Sequence, residues 1–120
     1  MTEVINILEI KQKLIEFAKE RDWEKFHTPK NLAMALNVEA GELLEIFQWM
    51  TSEESELLNK SDYDMEKIED EVADIFLYLV RICTVLNIDL LKSSLSKIKK
   101  NSVKYPPGLV RGSSKKYTDY

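Results

Sequence analysis

The sequence contains one cysteine, Cys83, and one histidine, His27. A single cysteine excludes an intrachain disulfide, and a single histidine cannot supply the two Glu-x-x-His pairs of a carboxylate-bridged di-iron bundle. Glycine and proline number three each, too few for the many tight turns of a small β-sandwich or barrel. The longest purely apolar run, Ile75 to Val80, is too short to cross a bilayer. These absences favour an all-α chain without membrane spans.

The length and composition predict one folded domain. The chain has 120 residues, of which 44% are hydrophobic and 32% charged, a balance typical of globular proteins. The first residues, Met1 to Glu3, lack the basic start and apolar core of a secretory signal. Since disulfide pairing within the chain is also excluded, we expect a cytoplasmic protein.

Charge is distributed unevenly along the chain. Residues 1–96 carry 10 basic and 20 acidic side chains, whereas residues 97–120 carry seven basic side chains and one acidic side chain. An acidic body with a basic end suits a partner such as nucleic acid, a membrane surface or an anionic small ligand. Charge alone leaves these three alternatives open.

Hydrophobic periodicity predicts four helices, over residues 4–21, 29–50, 65–86 and 90–104. Thr28 and Asp64 are the predicted N-caps of the second and third helices, and Pro106 ends the fourth. Residues 1–104 therefore form a predicted four-helix bundle-like domain, and residues 105–120 its extended basic tail. Four helices of this size bury limited surface, so we expect the domain to be oligomeric.

Four carboxylates fall close to surfaces that these helices should bury. Glu39 lies within the apolar stripe of the second helix and Glu42 at its edge, while Glu71 and Asp74 flank the stripe of the third. Packing the two helices together would collect four negative charges, each costly to desolvate. A hard divalent ion such as Mg²⁺ or Mn²⁺ would offset that cost. Either acidic pair considered alone is better explained by simple exposure to water, whereas two such pairs on consecutive long helices favour the metal site.

These acidic pairs and their surroundings resemble a known family. Glu39-x-x-Glu42 and Glu71-x-x-Asp74 resemble the motifs of the MazG-like all-α nucleoside triphosphate pyrophosphohydrolases. Further blocks are similar to the dCTP pyrophosphatase branch. They are Arg21-Asp22-Trp23-Glu24-x-Phe26-His27-x-Pro29-x-Asn31-Leu32, Glu39-Ala40-Gly41-Glu42-Leu43-x-Glu45-x-Phe47-Gln48-Trp49, Lys104-Tyr105-Pro106 and Ser114-Lys115-Lys116-Tyr117-Thr118.

The resemblance implies an all-α hydrolase that cleaves a nucleoside triphosphate between its α and β phosphorus atoms. The products are a nucleoside monophosphate and pyrophosphate, and the expected role is nucleotide pool sanitation. The implied cofactor is Mg²⁺, with Mn²⁺ as a substitute, held by the four motif carboxylates. Glu39 or Glu42 is expected to orient or deprotonate the attacking water, and the sequence does not separate a general base from a bridging ligand.

The resemblance also implies where the substrate binds. The implied phosphate-binding residues are Lys97, Asn101, Lys104 and Tyr105, and the implied nucleoside-binding residues are Trp23, His27, Trp49 and Tyr78. Two alternatives stay open for Arg111, Lys115 and Lys116: a disordered tail, or contacts with phosphate in the site of a neighbouring subunit. The stacking face of a tryptophan suits a flat heterocycle. The implied assembly is a homo-oligomer, with a tetramer favoured over a dimer.

The base preference stays open. The animal dCTP-specific enzymes have a histidine in the first helix where this chain has Leu14. Candidates are therefore dCTP, dATP or a modified deoxynucleoside triphosphate. A second hypothesis is a non-enzymatic helical module that binds nucleic acid or a partner protein through its basic tail. The net charge of −10 on residues 1–96 would repel a phosphate backbone, so nucleic acid is not an expected partner.

Overall fold

The structure is a computed structural model that describes residues 6–114 and 117–119. It is 77% helical, and the described residues contain no strand, which confirms the predicted all-α class. The helices are α1 (Ile7–Glu20), α2 (Pro29–Phe47), α3 (Ser52–Glu56), α4 (Tyr63–Leu86), α5 (Leu90–Lys104) and α6 (Pro107–Val110), with 3₁₀ turns at Glu24–Phe26 and Tyr117–Asp119. None of the described helices is long and apolar enough to span a membrane.

The chain divides into two compact units, residues 1–87 and residues 88–120. In the first unit, α4 packs along α2 and, over a shorter stretch, against α1. The second unit contains α5 and α6. The units divide at Asn87, which ends α4 in the left-handed conformation that asparagine tolerates, with φ 56° and ψ 45°.

A residue with an extended backbone precedes the first turn of both α2 and α4. The predicted cap at Thr28 is confirmed, because its side chain accepts from the Asn31 N–H at 3.2 Å and Pro29 occupies the first turn. The predicted cap at Asp64 is wrong. Asp62 is the N-cap residue of α4, with extended φ and ψ, and its carboxylate accepts from the Asn59 N–H at 2.7 Å. Asp64 lies in the first turn, where a negative charge is favourable.

Two other predicted boundaries differ from the structure. The second helix ends at Phe47 rather than Met50, because a tight turn closes with a 2.9 Å bond from the Met50 N–H to the Phe47 carbonyl. The tail is not extended throughout. Pro107 starts the short helix α6 after Pro106, and the fixed φ of proline suits a first helical turn. Val4, at the predicted start of the first helix, lies outside the described residues.

The buried core is small. Its apolar members come from three helices: Ala18 from α1, Leu32 from α2, and Val80 and Cys83 from α4. Periodicity placed Val72 and Leu86 on the buried stripe, yet they are 51% and 49% exposed. Periodicity marks apolar side chains without showing which neighbouring helix covers them, and the main contacts of α4 within this unit are with α2 and α1. Large apolar side chains therefore remain uncovered.

We expect Leu32→Ala to lower the free energy of unfolding by about 2–5 kcal/mol, because it removes a fully buried side chain and leaves a cavity. Leu57→Ala is the matched control, since Leu57 is 78% exposed, and we expect it to change stability by less than about 0.5 kcal/mol. Urea denaturation followed by circular dichroism measures both. Equal losses in the two variants would contradict the described core.

Candidate functional site

Helices α2 and α4 bring three carboxylates together. Glu39 and Glu42 lie one turn apart on α2, and Glu71 lies on the adjacent α4. One carboxylate oxygen from each residue lies within 4.8 Å of the other two. Glu39 and Glu71 are half-buried, and Glu42 is exposed. We call this group the carboxylate cluster.

The carboxylate cluster is electrostatically unfavourable as it stands. The neighbouring Glu71 carboxyl group is the largest cause that raises the pKa of Glu39 from 4.5 to about 7, because the two groups can share a proton. Burial raises this pKa further, as do hydrogen bonding and repulsion from Glu42. Among the described residues, the buried Oε2 atoms of Glu39 and Glu71 have no hydrogen-bond partner. Such oxygens require a proton or a cation.

Asp74, the fourth predicted ligand, lies outside the 4.8 Å group. It is half-buried and lies one turn after Glu71 on α4. Its negative charge and that of Glu39 both raise the pKa of the Tyr78 hydroxyl, after the larger effect of burial. Asp74 and Tyr78 therefore border the carboxylate cluster on the side toward the C-terminal end of α4.

The carboxylate cluster borders an open groove of about 540 Å³ between α2 and α4. Its lining residues are Glu42, Glu45, Ile46, Gln48, Asp64, Lys67, Asp70 and Glu71. Asp64, Lys67 and Asp70 are not among the site residues predicted from the sequence. Their i, i+3 and i+6 spacing on α4 was the available signal, but charged residues at that spacing are also typical of a solvated helix face.

Two of the predicted nucleoside-binding residues lie together before α2. Trp23 is 44% exposed and meets the rings of Phe17 and His27 edge-on, at centroid distances of 5.8 and 6.5 Å. His27 is half-buried, and its Nδ1 accepts a 3.0 Å hydrogen bond from Nε of Arg81. Burial and the positive charge of Arg81 lower the pKa of His27.

The other predicted nucleoside-binding residues are placed differently. Tyr78 is half-buried on α4 beside Asp74, close to the carboxylate cluster. Trp49 does not lie on a helix, because α2 ends at Phe47, and its side chain is 88% exposed. Such exposure leaves the indole ring free to stack on a ligand or to pack against a second subunit.

The predicted phosphate-binding residues belong to the second compact unit. Lys97, Asn101 and Lys104 are exposed on α5, and Tyr105 caps the end of this helix with its backbone N–H on the Asn101 carbonyl. Arg111 is exposed directly after α6. Lys115 and Lys116 lie outside the described residues.

The carboxylate cluster fits a hard divalent cation. Its donors are all carboxylate oxygens, which Mg²⁺ and Mn²⁺ prefer, and two of these oxygens are buried without a partner. A cation bound there would replace the shared proton and relieve the repulsion among the three charges. Glu39, Glu42 and Glu71 are the residues that would hold it.

Comparisons with known proteins show which family the chain resembles. The MazG-like family model matches residues 34–120. The chain is 44% identical to human dCTP pyrophosphatase 1 and 45% identical to the Bos taurus protein of that name, each over 104 residues and 87% of this chain. It spans only 61% and 62% of those relatives. A pyrophosphatase structure from Archaeoglobus fulgidus DSM 4304 superposes with a TM-score of 0.76 and 40% identity, covering 88% of this chain and 97% of that one.

Fold and site together define an all-α protein with an acidic centre between two packed helices. The chain belongs to the MazG-like family. The relatives also confirm the predicted resemblance to the dCTP pyrophosphatase branch.

The raised pKa of Glu39 predicts how stability depends on pH without divalent ions. Between pH 4.5 and about 7 the folded protein binds a proton at Glu39 that the unfolded chain has released, so the free energy of unfolding falls as pH rises. Glu39→Gln should make this decline shallower. Glu45→Gln, an exposed substitution on the same helix outside the carboxylate cluster, should leave the wild-type slope.

Urea denaturation in EDTA at several pH values measures the three slopes. The assignment would be contradicted if Glu39→Gln and wild type lost stability at the same rate over this pH range.

Proposed function

We propose that this protein is a divalent-metal-dependent nucleoside triphosphate pyrophosphohydrolase that releases a nucleoside monophosphate and pyrophosphate. The observation that carries the proposal is the carboxylate cluster, which collects three acidic side chains and two unpartnered buried oxygens at one position between α2 and α4. The names of the relatives, dCTP pyrophosphatase 1 and a pyrophosphatase, support the same class of reaction.

Mg²⁺ is the proposed physiological ion, and Mn²⁺ its substitute. Glu39, Glu42 and Glu71 would hold it, with Asp74 one turn away as a further ligand. A bound ion would supply neutralisation of the triphosphate and acidification of a water. Glu39 or Glu42 would orient that water or remove its proton. A carboxyl group whose pKa lies near 7 suits proton transfer at neutral pH.

Positive charges are the proposed partners of the leaving pyrophosphate. Lys97, Asn101 and Lys104 are exposed at one-turn spacing on α5, and Tyr105 follows them. Arg111, Lys115 and Lys116 are proposed to contact phosphate in the site of a neighbouring subunit. The basic character of residues 97–120 supports both assignments, because the triphosphate carries several negative charges.

The proposed substrate is dCTP or a related deoxynucleoside triphosphate. Trp23 and His27 lie together, and the exposed Trp49 offers a second stacking face for the base. Tyr78, close to Asp74 and Glu39, is proposed to pack against the deoxyribose and exclude a 2′-hydroxyl. Leu14 in place of a histidine leaves dATP and modified bases as candidates.

A homo-oligomer is proposed, with a tetramer favoured over a dimer. The support is the small core and the many exposed apolar side chains, among them Val72, Val85 and Leu86 on α4. Such surface is normally covered by a partner subunit. The proposed role is removal of unwanted nucleotides from the cytoplasmic pool.

Pyrophosphate release from a panel of deoxynucleoside triphosphates tests the function. We expect Mg²⁺-dependent release with the monophosphate as second product, and a fall in kcat of about 100-fold or more in Glu42→Gln and Glu71→Gln. Glu16→Gln, an exposed acid on α1, should retain wild-type activity.

The competing function is a non-enzymatic binding module. Absence of pyrophosphate release under every metal condition, together with a DNA mobility shift at moderate salt, would favour that module. Full activity in the Glu42→Gln and Glu71→Gln variants would remove the carboxylate cluster from the mechanism.

Tyr78 gives a separate prediction about the sugar. Tyr78→Ala should open space for a 2′-hydroxyl and lower the ratio of kcat/KM for dCTP over CTP by about 10-fold or more. Tyr78→Phe keeps the ring and should keep the ratio. Tyr63→Ala is the control, because Tyr63 is on the same helix but 81% exposed. An unchanged ratio in Tyr78→Ala would show that this ring does not select the sugar.

A further inference from the structure

Arg81 is a buried cation without a carboxylate partner in the part of the chain that the structure describes. Its side chain is 8% exposed and lies in the apolar second half of α4, next to Val80. The ion pairs among the described residues join Lys13 to Glu9, Arg21 to Glu20, and Lys25 to Asp22, so none involves Arg81. Burying an unpaired charge is costly, whereas an apolar side chain of similar volume would cost little. Stability does not explain an arginine at this position.

The polar contact of Arg81 is His27. The guanidinium Nε donates to the imidazole Nδ1 at 3.0 Å, joining α4 to the residue before the N-cap of α2 across 54 positions of sequence. A guanidinium has only donors, so Nδ1 must act as the acceptor. The neutral imidazole therefore carries its proton on Nε2. Protonation at Nδ1 would break the bond and place two positive charges together.

His27 lies among the groups proposed to bind the nucleoside. Its ring meets the half-exposed Trp23 edge-on at 6.5 Å. Arg81 follows Tyr78 by one turn and Asp74 by two turns, a separation of about 10 Å from Asp74 along the axis of α4. Glu71 of the carboxylate cluster and Arg81, the hydrogen-bond partner of His27, thus both lie on α4, with Tyr78 between them in sequence.

We propose that Arg81 is a positioning residue that fixes His27 in the Nε2-protonated tautomer, so that Nε2–H donates a hydrogen bond to an acceptor atom of the nucleobase. This inference rests on the proposed function for the identity of the ligand. The proposed hydrogen bond would discriminate among nucleobases, because a base edge that presents only donors leaves the Nε2–H of His27 unpaired. Arg81 itself does not touch the substrate.

The first experiment measures His27 without any turnover. His27 is the only histidine of the chain, so its imidazole signals in ¹⁵N-edited NMR need no further assignment. In wild type we expect the Nε2–H tautomer and a pKa below 6.5; in Arg81→Met the pKa should rise toward 6.5. Lys25→Met removes an exposed positive charge two residues away and is the control, with a smaller change. An unchanged pKa in Arg81→Met would overturn the coupling.

The second experiment is a double-mutant cycle measured by steady-state kinetics, with dCTP, dTTP, dATP and dGTP as substrates. Arg81→Met should raise KM for the preferred substrate by about 3- to 10-fold, the value of one neutral hydrogen bond, while kcat changes by less than about twofold. Arg81→Gln retains an N–H donor and should recover most of the loss. His27→Gln places an amide donor near the Nε2 position and should make KM insensitive to Arg81→Met.

The outcomes separate positioning from a structural role. A purely structural Arg81 would give a lowered melting temperature, an equal loss for all four substrates, and the same penalty in the wild-type and His27→Gln backgrounds; that result overturns the proposal. If Arg81→Met fails to fold, Arg81→Leu, which also lacks a donor, takes its place in the cycle.

Failure of the positioning role can be distinguished from failure of the proposed function. If no triphosphate is hydrolysed or shifts the His27 signals, the nucleobase role and the proposed function both fail, even with an altered His27 pKa in Arg81→Met. Hydrolysis by wild type with identical Arg81→Met penalties in both backgrounds would retain the proposed function and overturn the positioning role.

Discussion

The repulsion among carboxylates at the α2–α4 contact is the constraint on which the site depends. One carboxylate oxygen each from Glu39, Glu42 and Glu71 is held within 4.8 Å of the others by helices that pack side by side. Packing energy from residues such as Leu32 and Val80 keeps the helices together despite that repulsion. The result is a site in which like charges repel one another and in which a bound cation would relieve that repulsion. This arrangement links folding to the proposed function, because the helix contact that buries the core also gathers the carboxylates whose repulsion a bound cation would offset.

The other proposed substrate-binding groups of the first unit lie along α4 and in the segment before α2. Asp74, Tyr78 and Arg81 follow one another along α4 at spacings of four and three residues. One helix therefore carries the groups proposed to bind the metal, to pack against the sugar and to position His27. The segment before α2 supplies Trp23 and His27, and the Thr28 cap fixes where this segment meets the helix. A rigid helix would therefore fix the distance between the proposed metal-binding and base-binding positions, which suits a reaction that depends on positioning.

Much of this arrangement was predictable from the sequence, and the limits have physical causes. The positions of Glu39 and Glu71 near the buried surface follow from a period of 3.6 residues, because α2 and α4 are long and regular. Asp74 has the same period but lies outside the group of three, since proximity also depends on how the helices are rotated. Trp49 lies outside the helix predicted for it, because hydrogen bonds in a turn end α2 at Phe47. Hydrophobic periodicity does not reveal such bonds. The pair of Arg81 and His27 joins residues 54 positions apart, and no local pattern contains such a contact.

The most direct test of the central claim is the location of a metal ion. Crystals grown with Mn²⁺ would be measured at the manganese absorption edge, and the anomalous difference map would show the ion independently of the protein atoms. The account predicts a peak within direct coordination distance of carboxylate oxygens from Glu39, Glu42 and Glu71. A map in which these side chains keep their positions, with no peak among them at saturating Mn²⁺, would contradict it.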